Sequence, residues 1–260
     1  MRIVLSIAGF DPSGGAGVLA DIKTFAAFKV FGAAAVTSLT FQNTTGVFGA
    51  EHQSARVIRG QIDPLLDDYQ IAAVKIGMLP TREAVDVVAE VIEKHSLKNI
   101  VVDPVMVSTS GHELVADKVA SHLMDRLFPL ADLVTPNIRE AAALTGVEVT
   151  DVASMSAAAT KLRATCRAVL VKGGHLNDDA VDVLMHEQGT ELFRVSRIQT
   201  RNTHGTGCTL SSAIAALLAR GNELSSAVEK AKSYVTRAIQ SAPDLGSGAG
   251  PLNHNVETLQ

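Results

Sequence analysis

An α/β fold with a central, largely parallel sheet and helices on both faces is what this 260-residue sequence predicts. Three observations carry that expectation. Short β-branched runs alternate with longer segments of helical periodicity. The strand candidates read as buried by composition, as strands covered by helices on both faces must be. With 47% hydrophobic and 19% charged residues, the chain can build a large core without metal or disulfide. At about 100–200 residues per domain the length allows one large domain or two small ones. No repeat, low-complexity linker or charge block marks a boundary, so a single domain over residues 1–260 is expected.

In chain order, Ile3-Val4-Leu5-Ser6-Ile7 reads as a first strand, and Gly14-Gly15-Ala16-Gly17 opens a helix reaching residue 28. Residues 31–50 read as extended chain around a Thr44-Thr45-Gly46 turn. Ala72-Ala73-Val74-Lys75-Ile76 is the next strand. Residues 81–94 follow as a helix, because Ala84, Val87, Val88, Val91 and Ile92 recur at helical spacing and Thr81 suits an N-cap. A strand over 99–102, a helix around 118–128, Asp132-Leu133-Val134, helices over 138–144 and 154–164 and a strand over 168–171 continue the alternation. Residues 181–196, centred on Gly189, read as a β-hairpin. Helices over 207–219 and 224–241 complete the pattern, and the Gly/Pro/Asn-rich stretch 242–260 is expected to be partly loose.

Charge and composition exclude several functions. Lys plus Arg number 23 against 27 Asp plus Glu, too balanced for a protein of duplex nucleic acid or of membrane surfaces. Two Tyr, eight Phe and no Trp leave little for stacking on bases. The apolar start at residues 2–10 is too short and strand-like for a signal peptide, and residues 210–219 fall short of the roughly 20 needed to span a bilayer. Cys166 and Cys208 are the two cysteines and form no Cys-x-x-Cys, which favours a reducing, cytoplasmic setting. The His residues show no metal-ligand spacing.

Four loops carry the chemistry. Ala8-Gly9-Phe10-Asp11-Pro12-Ser13-Gly14-Gly15-Ala16-Gly17 leaves the carboxyl end of the first strand, where open α/β sheets bind ligands. It contains a G-x-G-x-x-A match but no acidic partner about 20 residues on, so the dinucleotide reading is weak and a tight turn is the plain alternative. Thr203-His204-Gly205-Thr206-Gly207-Cys208 leads straight into an Ala-rich helix, a spacing that suits an anion nest. There the helix dipole is expected to lower the Cys208 thiol toward thiolate. Asp103-Pro104-Val105-Met106 and Thr135-Pro136-Asn137-Ile138-Arg139-Glu140 place Asp103, Asn137 and Glu140 after successive strands, as oxygen donors suited to Mg²⁺ through water. Read alone, Glu140 is a solvated first-turn residue and Asn137 an N-cap. Lys172-Gly173-Gly174-His175 follows the next strand and can aim Lys172 at a phosphate.

Together with Ala20-Asp21-Ile22-Lys23-Thr24, Gln42-Asn43-Thr44, Lys75-Ile76-Gly77-Met78 and Gly250-Pro251-Leu252, these segments span nearly the whole chain in order. They resemble the ribokinase superfamily and, within it, the hydroxymethylpyrimidine/phosphomethylpyrimidine kinases of thiamine biosynthesis. Cys208 is the discriminating residue, since most of the superfamily has Asp there. The resemblance implies a ribokinase-like three-layer sandwich, a homodimer, and ATP-dependent phosphorylation of 4-amino-5-hydroxymethyl-2-methylpyrimidine and then of its monophosphate. It implies that Gln42 and Asp21 hydrogen-bond the aminopyrimidine while Gly9, Met78 and Val105 wall the ring. It assigns Asp103 and Glu140 to Mg²⁺, and Lys172, Lys232, Thr135 and Asn137 to the nucleotide. Gly205, Thr206, Gly207 and Cys208 become the catalytic loop, with Cys208 as base. Phe41, where a smaller residue is common, is expected to narrow the pocket. A pyridoxal or pyridoxine kinase of the same fold is the alternative. A non-catalytic binding module is disfavoured, because it needs no phosphate-transfer apparatus.

Overall fold

Strand β1 (Ile3–Phe10) is the axis of the structure because it is apolar toward both sides. Val4 packs into one core, Leu5 and Ile7 into the other, all with 0% exposure. The computed structural model describes residues 1–106, 117–174 and 179–258. Parallel β2 (Phe31–Asn43) lies on one side of β1, and beyond it antiparallel β3 (Gly46–His52) forms the edge. On the other side stand parallel β4 (Ile71–Ile76), β5 (Ile100–Val102), β6 (Leu133–Val134) and β7 (Val169–Val171). The antiparallel hairpin β8 (Ala180–His186) and β9 (Gly189–Val195) closes that edge, giving the order β3-β2-β1-β4-β5-β6-β7-β8-β9.

Helices α1 (Gly17–Ala27), α7 (Thr206–Ala219) and α8 (Leu224–Gln240) cover one face. The other is covered by α2 (Ala55–Asp68), α3 (Arg82–His95), α4 (Asp117–His122), α5 (Ile138–Thr145) and α6 (Val152–Arg163). Strand residues alternate between the two cores: Ile100 and Val102 face one, Val101 the other. The N-cap expected at Thr81 is present, its hydroxyl accepting from Ala84 N at 3.2 Å.

Three local expectations are corrected. No element was expected over 51–70, yet α2 runs there for 14 residues with Pro64 inside it. Pro64 faces the carbonyl of Gly60 one turn back, and burial of Ile58 and Ile62 holds the helix despite the lost hydrogen bond. The helix around 118–128 is irregular: after α4 it loosens into a π turn (Leu123–Leu127) and tightens into a 3₁₀ turn (Phe128–Leu130) containing Pro129. The tail from 242 is not loose as far as 258. Ala249 N bonds Thr44 O (2.9 Å), His204 N bonds Gly250 O (3.1 Å), and Tyr234 Oη donates to His254 O (2.9 Å).

From β1 the chain first builds outward through β2 and β3, then returns to lay β4 on β1's other side. The carboxyl ends of β1 and β4 therefore diverge into a crevice at this switch in strand order, where an open α/β sheet takes its ligand.

Candidate active site

That crevice is a cavity of about 700 Å³, lined by the ends of five consecutive sheet strands and by the start of α7. Gly9 and Phe10 enter from β1, Gly77 and Met78 after β4, Asp103 and Val105 after β5, Asn137 and Glu140 after β6, and Lys172 after β7. Gln42 reaches it from the end of β2, and Gly205, Thr206, Gly207 and Cys208 close it from α7. A second cleft, about 540 Å³, opens at the strands' amino ends around Arg2, Ile71 and Asn99, away from this constellation.

Two glycine loops meet at the cavity wall. Gly205 is the N-cap of α7 in the left-handed region (φ 79°), and a Cβ there would stand 1.8 Å from Gly15 O. A Cβ on Gly17, at φ 57°, would stand 2.2 Å from Gly9 O. Asp11 fastens the first loop: it accepts from Ser13 N (2.8 Å), Ser13 Oγ (2.9 Å) and Ala16 N (2.8 Å), and lies 2.8 Å from His204 Nε2. Burial pushes the Asp11 carboxyl up, but the hydrogen bonds from His204 and Ser13 outweigh it and hold it below the usual carboxylate range. His204 thus joins the two loops. The first amides of α7 lack intrahelical acceptors. That of Thr206 is engaged by Thr203 O at 3.3 Å, a correction that leaves Gly205, Gly207 and Cys208 as candidate anion donors.

Beside the start of α7, Lys172 Nζ lies 2.6 Å from Asp103 Oδ1, and a Cβ on Gly207 would stand 3.1 Å from that ammonium. Burial raises the Asp103 carboxyl, yet Lys172 and Lys75 outweigh it and hold it below its ordinary value. Asn137 and Glu140 form a capping box on α5, with Glu140 N donating to Asn137 Oδ1 (3.0 Å) and Asn137 N to Glu140 Oε2 (2.7 Å). Glu140 is not the solvated residue its position suggests. It is 5% exposed, and burial, opposed by Lys172, pushes its carboxyl up to about 7. Lys232 Nζ pairs with Asp182 Oδ2 at 2.6 Å, and Asp182 Oδ1 accepts from Gly173 N (2.9 Å), so Lys232 also steadies the loop after β7.

At the end of β2, Gln42 Nε2 donates to Thr40 Oγ1 (2.7 Å), which in turn donates to Phe10 O (2.9 Å). Met78 and Val105 line the cavity, and a Cβ on Gly9 would come within 3.2 Å of Met78 Cε.

Four expectations fail here. Asp21 does not line the cavity: it is 0% exposed, and its carboxylate is taken up by Lys75, Ser6 and Ser212. Thr135 is also fully buried, behind Asp103, to which its hydroxyl donates at 3.2 Å. Phe41 is 54% exposed over Gly49 and does not narrow the cavity. The Cys208 thiol is not lowered. The cavity reaches it, but enclosure by protein withdraws it from bulk water and pushes it up to about 11, against the pull of Lys75.

Sequence reasoning missed Lys75, Arg139 and the 195–200 segment, all cavity-lining. Only Lys75 left a signal: a lysine inside an otherwise apolar buried strand has to be paired. His175 lies outside the described residues. Among the described residues no cluster of three or more His, Cys, Asp or Glu could hold a metal, and no helix is long and apolar enough to cross a membrane.

The chain matches the family model for phosphomethylpyrimidine kinase over residues 11–253. A Rhizobium meliloti protein named hydroxymethylpyrimidine/phosphomethylpyrimidine kinase is 46% identical over 257 residues, covering 97% of this chain and 96% of the relative. The crystal structure of phosphomethylpyrimidine kinase from Clostridium difficile 630 superposes with a TM-score of 0.82 at 40% identity, over 92% of this chain and 100% of that one. The pyridoxal kinase of Bacillus subtilis, solved as an ADP complex, gives a TM-score of 0.91 at 38% identity, over 98% and 97%. The three layers are those of the ribokinase-like fold. The family model's match over almost the full length and the identity to a named relative agree: this chain belongs to the phosphomethylpyrimidine kinase family.

Proposed function

We infer that the protein transfers the γ-phosphate of ATP to the hydroxymethyl group of 4-amino-5-hydroxymethyl-2-methylpyrimidine, and then a second phosphate to the monophosphate, in thiamine diphosphate biosynthesis. The observation that carries this reading is one cavity lined both by Gln42, Met78 and Val105 and by Cys208, Lys172 and Asp103. The hydroxymethyl oxygen attacks the γ-phosphorus in line as the bond to the departing ADP breaks, and its proton passes to Cys208 Sγ. The amides of Gly205, Gly207 and Cys208 stabilise the charge on the transferring oxygens. Asp21 and Thr135 act from behind, by fixing Lys75 and Asp103.

Asp103 and Glu140 fit Mg²⁺ by chemistry, as buried oxygen donors. Lys172 already sits on Asp103, so they would hold the ion through water. What Mg²⁺ supplies when bound is neutralisation of phosphate charge. Titrating Mg²⁺ against rate should show a clearly raised requirement in Glu140→Gln; an unchanged requirement removes Glu140 from that role.

Gln42 reads the ring, since a carboxamide donates and accepts at once and so complements a ring nitrogen beside an amino group. Gln42→Leu should weaken directly measured pyrimidine binding by about 1–3 kcal/mol, because a partner in a closed site is left unpaired. An unchanged dissociation constant takes Gln42 out of the site.

The likeness to a pyridoxal kinase favours a specific competitor. ADP release measured side by side with hydroxymethylpyrimidine and pyridoxal tests the whole reading: turnover of pyridoxal alone overturns it. The reading includes one domain over 1–260, a cytoplasmic setting supported by two free cysteines, and a homodimer. Support for the dimer is the cluster of exposed Leu39, Phe41 and Phe48 on the β2–β3 edge, and light scattering in solution tests it.

A further inference from the structure

Lys75 is a charge without an assigned purpose. It sits within β4 at 0% exposure, and its Nζ donates to both carboxylate oxygens of Asp21 at 2.9 Å. Asp21 is held in turn by Ser6 Oγ from β1 (2.6 Å) and Ser212 Oγ from α7 (2.7 Å). An ammonium carries three N–H donors. Among the described residues only Asp21 accepts from this one, and Lys75 lines the cavity. A Cβ on Gly77 would stand 3.0 Å from Nζ, so glycine leaves room for the buried ammonium beside the chain.

Helical spacing sets this group one turn below Cys208. Gly17 and Asp21 share a face of α1, and Cys208 and Ser212 share a face of α7. The lower turns are joined through Ser212, Asp21 and Lys75, and at the upper turns the Gly17 amide faces the thiol. The charges that face the thiol are Lys75 from β4, Asp21 from α1, Asp103 after β5 and Lys172 after β7. Lys75 is the strongest pull toward thiolate, and Asp21 pushes the other way.

We propose that Lys75, clamped by Asp21, is the positioning residue that favours negative charge on Cys208 Sγ as the thiol gives up its proton, with Asp21 both fixing the ammonium and tempering its effect. The proposal rests on Cys208 acting as general base.

Alkylation of Cys208 by iodoacetamide, followed by peptide mass spectrometry across a pH series in the full chain, reads the thiolate without turnover. At one mildly alkaline pH, Lys75→Met should slow alkylation by about tenfold or more, as loss of a nearby charge in a weakly screened site requires. Asp21→Asn should speed it. The double variant Asp21→Asn/Lys75→Met leaves no buried charge uncompensated, so it keeps the test available where Lys75→Met fails to fold. It should alkylate more slowly than wild type but less slowly than Lys75→Met. A double variant that matches wild type, or an Asp21→Asn variant that is slower, overturns the proposal. Failure of the general-base reading is distinct from this: Cys208→Ala would turn over near the wild-type rate while the alkylation pattern stayed as described.

Discussion

Cys208→Ala should lose about 10²–10⁴-fold in turnover while still binding ATP, the size of effect that general base catalysis supplies. In the proposed mechanism the nucleotide is held by other groups around Lys172 and the loop after β7, so binding and chemistry should separate in this variant. The pH profile adds a signed expectation. A base acts deprotonated, and the Cys208 thiol is pushed up to about 11. Its thiolate fraction therefore rises with pH throughout the neutral range, and kcat/KM should climb about tenfold per pH unit there. Cys208→Asp should retain more activity than alanine and lose that slope, because a carboxylate is already ionised. Alanine turning over within a few-fold of wild type would show that the thiol only packs against substrate.

The second large effect is expected at Gly205. An alanine there is strained twice: φ is 79°, and its Cβ would stand 1.8 Å from Gly15 O. The Cβ is fixed to the chain and the atom it meets is backbone, so relief has to come from moving one glycine loop against the other. That displaces the amides at the start of α7 from the transferring phosphate. Losing one such preorganised donor costs about 10²–10³-fold in kcat, and the strained conformation adds about 1–3 kcal/mol of destabilisation. Gly60→Ala on α2 is the control. Nothing lies within 4 Å of the added Cβ, so it should leave activity unchanged and stability level or slightly raised. Steady-state kinetics with thermal unfolding of the two variants separates the site-specific loss from a general cost of replacing glycine. Equal kcat for Gly205→Ala and wild type would remove the anion hole from the mechanism.

What the sequence determined by itself was whatever rests on short-range pattern. Apolar runs such as Ile3–Ile7 announced buried strands, Thr81 and Asn137 announced helix starts, and the glycines around Cys208 announced a loop turned into a helix N-terminus. Each depends on neighbours within one turn, and each was legible. Element α2 was not, because Pro64 argues locally against a helix that only the burial of Ile58 and Ile62 sustains. The site divides the same way. Asp103, Asn137, Glu140 and Lys172 line one cavity, as their placement after successive strands suggested, and Gln42, Met78 and Val105 line it too, as the resemblance implied. What Asp21 does was decided by tertiary structure alone, since its partners Ser6, Lys75 and Ser212 come from three other elements and Ser212 lies 191 residues away. So was the state of the Cys208 thiol. Local reading credits the helix dipole, but folding encloses the sulfur and lets burial prevail. A buried group's charge depends on what surrounds it in space, and in this fold those surroundings come from distant parts of the chain.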